Sequence, residues 1–330
     1  MKNTALLYLI AFMALSTGSC TFNEMNFDQY PSLTISNDEV EMKIYLPDPE
    51  NGLYRATRFD WSGVIGSVQY RGHEYFGYWK DTHDPLFHED LTGPVEGYIK
   101  AGLGYEDAEA GGKYVRIGVG VIEKPDEKEY SFRNSYKILD HGKWTTDHGA
   151  DWVSFRHELS SDIGFSYIYE KVIRLKSDGF IIDHKLRNTG PLAIETDQFN
   201  HNFFMIDGEP SGRAFTIKFP YTVSTESDPQ GFVEIKDNKI RFIKDLTEDD
   251  SFFLLLDGYT DAPGDHELTV ENNKSGAGVT FRVDKPLYRM AFWACRTTLS
   301  PENSIWISVE PGAEEQWKSD YTLFVKQANK

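Results

Sequence analysis

The stretch KYVRIGVGVI, residues 113–122, carries the periodicity on which the fold class turns. Val115, Ile117, Val119 and Ile122 fall mostly on one face of an extended chain, with Arg116 and two glycines on the other, as a half-buried strand requires. The same alternation recurs in DWVSFRHEL (151–159), FSYIYEKVIRL (165–175), FIIDHKLRN (180–188), FTIKFPYTV (215–223), HELTVEN (266–272), GVTFRVD (278–284) and SIWISVE (304–310). Turn signals separate them: KSDG at 176–179, NTGP at 188–191 and NNKSGAG at 272–278. No segment after the N-terminal apolar run sustains a 3.6-residue apolar stripe. The pattern predicts an all-β protein, with two large antiparallel sheets packed as a sandwich. In such a fold the site is expected where side chains of several strands converge on the concave face of a curved sheet.

Of the 330 residues, 40% are hydrophobic and 14% aromatic, without low-complexity runs, repeats or long linkers, so one domain is expected. The formal charge of −18 repels phosphate backbones, and no stripe of Lys and Arg offsets it, which excludes nucleic acid as a partner.

The opening MKNTALLYLIAFMALSTGSC has a lysine, an apolar run from Ala5 to Leu15 and small residues ending at Cys20. It is short for a bilayer span and reads as a signal sequence over residues 1–19. Gly18 and Ser19 before Cys20 resemble a bacterial lipobox, although Thr17 stands where leucine is usual; a plain secretory signal is the alternative. The lipobox reading makes Cys20 the lipidated first residue, 20–29 a tether, and the protein a periplasmic or cell-surface one that touches a membrane only through its anchor. Cys295 is left without a partner for an internal disulfide and reads as a small core residue.

NHNFF at 200–204 places an imidazole before two aromatics within this strand-rich chain. Three stretches taken in order, GSVQYRGHEYF (66–76), LRNTGPLAIETDQFNHNFF (186–204) and ISVEPGAEEQWKSDYTLF (307–324), resemble the galactose mutarotase superfamily, the aldose 1-epimerase type of β-sandwich. The resemblance spans most of the chain and implies one domain over residues 30–330, with His201 as a general acid facing a sugar ring oxygen. It also implies a glutamate base on a late strand shortly before the closing Pro-Gly turn. Ala294, Cys295 and Arg296 occupy the neighbourhood where that glutamate is expected, and Glu302 reads as a loop residue poorly placed to replace it.

Anomer interconversion needs one group to protonate the ring oxygen and another to deprotonate the anomeric hydroxyl. With the late glutamate unassigned, the acidic and imidazole-rich segments RFDWSG (58–63) and THDPLFHEDLTGPVEGY (82–98) become candidates, because binding residues gather on loops of a rigid sandwich. Glu96 is the expected displaced base, with Asp84 second, and His88 matches the family's second active-site histidine by order. Arg58, Asp60, Trp61, Asp84, Asn200 and Arg296 are expected to bind substrate. Arg58 and Arg296 suit a carboxylate or vicinal hydroxyls, so an acidic sugar is one expectation. Trp61, Trp79 and Trp293 are candidates to stack on a pyranose, or to pack in the core. The histidines and carboxylates fit no familiar metal-ligand spacing, and neither a metal nor a cofactor is expected.

Three functions follow: an aldose 1-epimerase-like enzyme acting on a mono- or oligosaccharide, or a related lyase or epimerase with a repositioned base; a lipid-anchored glycan-binding protein without catalysis; and a structural sandwich at the cell surface. The retained His201 favours the first, and the missing late glutamate favours the second.

Overall fold

The computed structural model describes residues 26–326, which leaves the signal sequence, Cys20 and most of the tether outside the described residues. Two antiparallel sheets dominate. The larger has ten strands, in the order Val233–Lys236, Lys239–Phe242, Phe215–Lys218, Glu267–Asn272, Ala277–Val283, Glu314–Val325, Gly179–Asn188, Tyr167–Lys176, Trp152–Leu159 and Lys143–His148. The smaller has five: Ser251–Leu256, Leu287–Cys295, Thr298–Val309, Ile194–His201 and Val95–Gly97. A four-stranded sheet (Ser32–Ser36, Val40–Tyr45, Val64–Tyr70, His73–Glu74) and a three-stranded one (Lys113–Arg116, Gly120–Glu123, Ile138–Asp140) complete the architecture. The predicted all-β sandwich is the fold observed.

Alternation sets which side chains enter the core. In Tyr167–Lys176 the residues Tyr167, Tyr169, Lys171, Ile173 and Leu175 are buried, and the intervening ones are more open. Paired with it, Gly179–Asn188 buries Phe180, Ile182, His184, Leu186 and Asn188. These face the inner side of the smaller sheet, where Leu254, Phe292, Ile305, Ile307 and Val309 belong to the same apolar cluster. Each large side chain so buried contributes about 1.5–3 kcal/mol relative to exposure.

KYVRIGVGVI departs from its reading as one strand. Lys113–Arg116 and Gly120–Glu123 form a hairpin, and the chain turns through Gly118 at φ 75° and Gly120 at φ 145°, conformations that side chains resist. A Cβ on Gly120 would sit 2.1 Å from the Asp140 carbonyl oxygen. Arg116 is buried rather than solvated. Its guanidinium donates to the carbonyls of Arg58, Tyr98, Lys100 and Ala101 and so ties the 58–60 segment to the residues after Val95–Gly97.

Candidate active site

His201 and Glu302 meet on the outer face of the five-stranded sheet. Ile194–His201 and Thr298–Val309 pair antiparallel with Phe199 opposite Ser304, so continuing that register by two residues brings His201 opposite Glu302. On its other side Glu302 pairs with Ala291, whose methyl group leaves the space above it open. His201 Nε2 lies 3.3 Å from Glu302 Oε1. Both residues are buried, yet both line a cavity of about 580 Å³.

The chain turns sharply beyond His201. Phe203 adopts φ 45°, a left-handed conformation costly for a bulky residue, and its ring stacks on the imidazole with centroids 3.7 Å apart. Phe59 and Trp293 meet the same imidazole edge-on at 5.7 and 5.4 Å. Trp293 also forms part of the cavity wall, with Phe199, Phe253, Tyr98, Phe132 and the guanidinium-bearing Arg58, Arg133 and Arg289. Apolar walls with a few convergent polar groups are the usual composition of a small-molecule site.

Burial sets the charges of the pair. It pushes the His201 imidazole well below its ordinary 6.5, and the nearby Arg58 cation adds to that. It pushes the Glu302 carboxyl up to about 7, against the opposing pull of Arg58 and then Arg289. Near neutral pH the two groups therefore share one proton between them. Arg58 is itself largely shielded, with its guanidinium 3.3 Å from Glu89 and over the rings of Phe132 (4.2 Å) and Phe59 (4.6 Å).

Glu302 corrects the expectation of a loop. It lies within Thr298–Val309, a central strand that contains Pro301. The proline is accommodated because the ladder to Ile194–His201 gives way there to side-chain bonds: Asn202 Nδ2 donates to the Pro301 carbonyl at 2.6 Å, and Ser300 Oγ accepts from the Asn202 amide at 2.9 Å. A glutamate therefore does stand on a late strand, six residues beyond Arg296.

Glu96, the expected displaced base, lies between the sheets. Its carboxylate accepts from His184 Nε2 at 2.6 Å and Asn200 Nδ2 at 3.2 Å, and contacts Lys171 Nζ at 2.5 Å. Although its burial opposes ionisation, the His184 and Lys171 partners lower its pKa to about 2, leaving no basicity at neutral pH. Asp60 also contacts Lys171 Nζ at 2.5 Å and is buried, so it binds the core cation in place of a ligand. Asn200 alternates with His201 and points inward to the same cluster.

Trp61 and Trp79 are core residues: their indole nitrogens donate to the carbonyls of Ala56 and Leu91, and Trp79 backs Phe203. His88 stands behind the cavity wall, 3.4 Å from Glu89 and with its ring 5.7 Å from that of Phe132. Asp84 is exposed and closes a turn by accepting from the Leu86 amide. Arg296 occupies the turn after Leu287–Cys295, 3.9 Å from the exposed Glu248. Of the expected site residues, the structure thus brings His201 and Arg58 to the cavity, and Trp293 with them.

Lys171, His184 and Arg289 were not singled out by sequence reasoning. The first two carried a legible signal, because each falls in phase with the buried residues of its strand, where a buried polar group requires a partner. Arg289 carried none; outward-facing arginines on strands are ordinary.

Comparison with solved structures places the fold. A galactose mutarotase-like protein from Clostridium acetobutylicum aligns with a TM-score of 0.59 at 11% identity, over 91% of this chain and 96% of that one. A galactose mutarotase-like protein from Lactobacillus casei gives 0.55 at 12%, over 89% and 100%. An aldose epimerase homologue from C. elegans gives 0.55 at 13%, over 90% and 100%. No family model matches the chain, and no curated protein matches it. The likeness is one of fold: a galactose mutarotase-like sandwich, at 11–13% sequence identity.

Proposed function

We propose that the protein is an aldose 1-epimerase-type enzyme in which His201 is the general acid and Glu302 the general base. The observation that carries this reading is the 3.3 Å approach of the two groups on the wall of an aromatic cavity. When a cyclic sugar is bound, the shared proton passes from Glu302 to His201 across their 3.3 Å approach; Glu302 as carboxylate then takes the anomeric hydroxyl proton while His201 as imidazolium gives one to the ring oxygen. The bond from C1 to the ring oxygen breaks, and the pair is left as neutral acid and neutral imidazole. Its proton count is unchanged, and burial favours that neutral state. Rotation about the bond from C1 to C2 and reversal of the transfers close the other anomer. Trp293 offers its ring to the sugar, and Arg58 is positioned to donate to ring hydroxyls. A glutamate beside His201 on the cavity wall weighs against the binding-only alternative.

Proton NMR of anomeric exchange for glucose, galactose and galacturonate, with wild type, His201→Ala, Glu302→Gln and Glu96→Gln, tests the assignment. Acceleration by wild type that is lost in the first two variants and kept by folded Glu96→Gln supports it; no acceleration for any sugar by wild type refutes it. The N-terminal lipid anchor at Cys20 is a separate part of the proposal, and metabolic labelling with a radioactive fatty acid, compared with Cys20→Ala, decides it.

A further inference from the structure

The cavity is basic although the protein is strongly acidic. Arg58, Arg133 and Arg289 line it against Glu89 and Glu302, in a chain of formal charge −18. Arg58 is engaged by Glu89. Arg133 and Arg289 have no carboxylate within 4.0 Å among the described residues; the guanidinium of Arg133 packs over Phe132 at 4.8 Å, and that of Arg289 lies 6.0 Å from the Phe253 ring. They reach the cavity from different elements, Arg133 from the segment preceding Ile138–Asp140 and Arg289 from Leu287–Cys295. Arg289 faces outward two residues before Ala291, the partner of Glu302.

Interconverting the anomers of a neutral sugar passes through a neutral aldehyde and creates no lasting anion, so it gives the exposed Arg133 and the half-buried Arg289 no anion to hold. We propose that the cavity takes a sugar bearing a carboxylate, a uronic acid, with Arg133 and Arg289 as the residues that select its charge. This inference rests on the epimerase reading of the same site. Three arginines against two glutamates leave the cavity wall net positive whether or not Glu302 carries the shared proton, which an acidic sugar offsets. Arginine also matches the planar carboxylate with paired hydrogen bonds.

The test compares anomeric exchange of galacturonate and glucuronate with galactose, glucose and glucose 6-phosphate at low and high salt. Charge-assisted pairing predicts a kcat/KM for a uronate about tenfold or more above that of its neutral counterpart, narrowing as salt screens the partly open site. Arg133→Gln/Arg289→Gln should bring the ratio toward one. Equal or faster turnover of neutral hexoses, or preference for the phosphate ester, overturns the uronate proposal and leaves the epimerase reading standing. Should no sugar be accelerated, the epimerase reading fails, and calorimetric titration decides the remaining question. Galacturonate binding that exceeds galactose binding and is lost in the double variant upholds charge selection; equal or absent binding overturns it.

Discussion

Replacing Glu302 by Gln should make the protein less active and more stable at once. The carboxyl is raised from its ordinary 4.5 to about 7, chiefly by burial. Because the folded state holds this proton more tightly than the unfolded chain does, the carboxyl is neutral in both states below about pH 4.5 and imposes no penalty there. As pH rises from 4.5 to 7 the unfolded chain ionises first, and the folded state loses stability; above 7 the full difference applies. At 1.36 kcal/mol per pH unit, the shift to about 7 corresponds to about 3 kcal/mol of destabilisation at pH 8. Glutamine has no charge to bury, so Glu302→Gln recovers up to that amount, or about 6 °C in Tm for a chain of this size. Activity should fall by about 10²–10⁴-fold with loss of the base. Calorimetric scans at pH 8 and pH 4.5, beside anomeric exchange by NMR, measure both effects. The expected pattern is a stabilised, nearly inactive variant whose Tm advantage disappears at the lower pH. A lower Tm at both pH values would show that the carboxyl serves structure, and activity within about tenfold of wild type would refute its role as base.

The pH profile of wild type follows from the same pair: kcat/KM for a neutral sugar should fall about tenfold per unit above the Glu302 value of about 7, because the shared proton is then lost. A rate flat to pH 9 after subtraction of the buffer reaction would contradict this. Lys171→Met should destabilise by about 3–5 kcal/mol, leaving the buried Asp60 and Glu96 without their common cation, as read from the midpoint of urea unfolding at pH 7. Trp293→Ala should raise KM about two- to tenfold with a smaller change in kcat, since one stacking face of the cavity is removed; an unchanged KM for every accelerated sugar would place the ligand elsewhere in the cavity.

The alternation of FSYIYEKVIRL and FIIDHKLRN was legible because each strand has one face toward the other sheet, and burial imposes a two-residue period. His201 was legible from NHNFF through resemblance, although its neighbour Asn200 belongs to the opposite face. Glu302 was obscured by Pro301, which reads as a strand breaker until the side-chain bonds of Asn202 are seen to replace the missing ladder. Glu96 and Asp60 misled in the other direction: acids among glycines and prolines look like a solvated binding loop, and only the long-range approach of Lys171 and His184 draws them into the interior. KYVRIGVGVI shows that two short strands around a glycine turn can imitate one long strand, since period alone does not mark a reversal.

On the proposed acid–base reading, the antiparallel register that brings His201 opposite Glu302 makes fidelity of folding and competence for chemistry the same property. A slip of one residue between Ile194–His201 and Thr298–Val309 would send one member of the pair to the inner face while preserving most backbone bonds. Such a molecule would keep its β-sheet spectrum and its compactness, yet have no paired acid and base. The active fraction of a preparation, counted by active-site titration, would then report strand alignment to within a single residue, a discrimination that bulk measurements of secondary structure do not make.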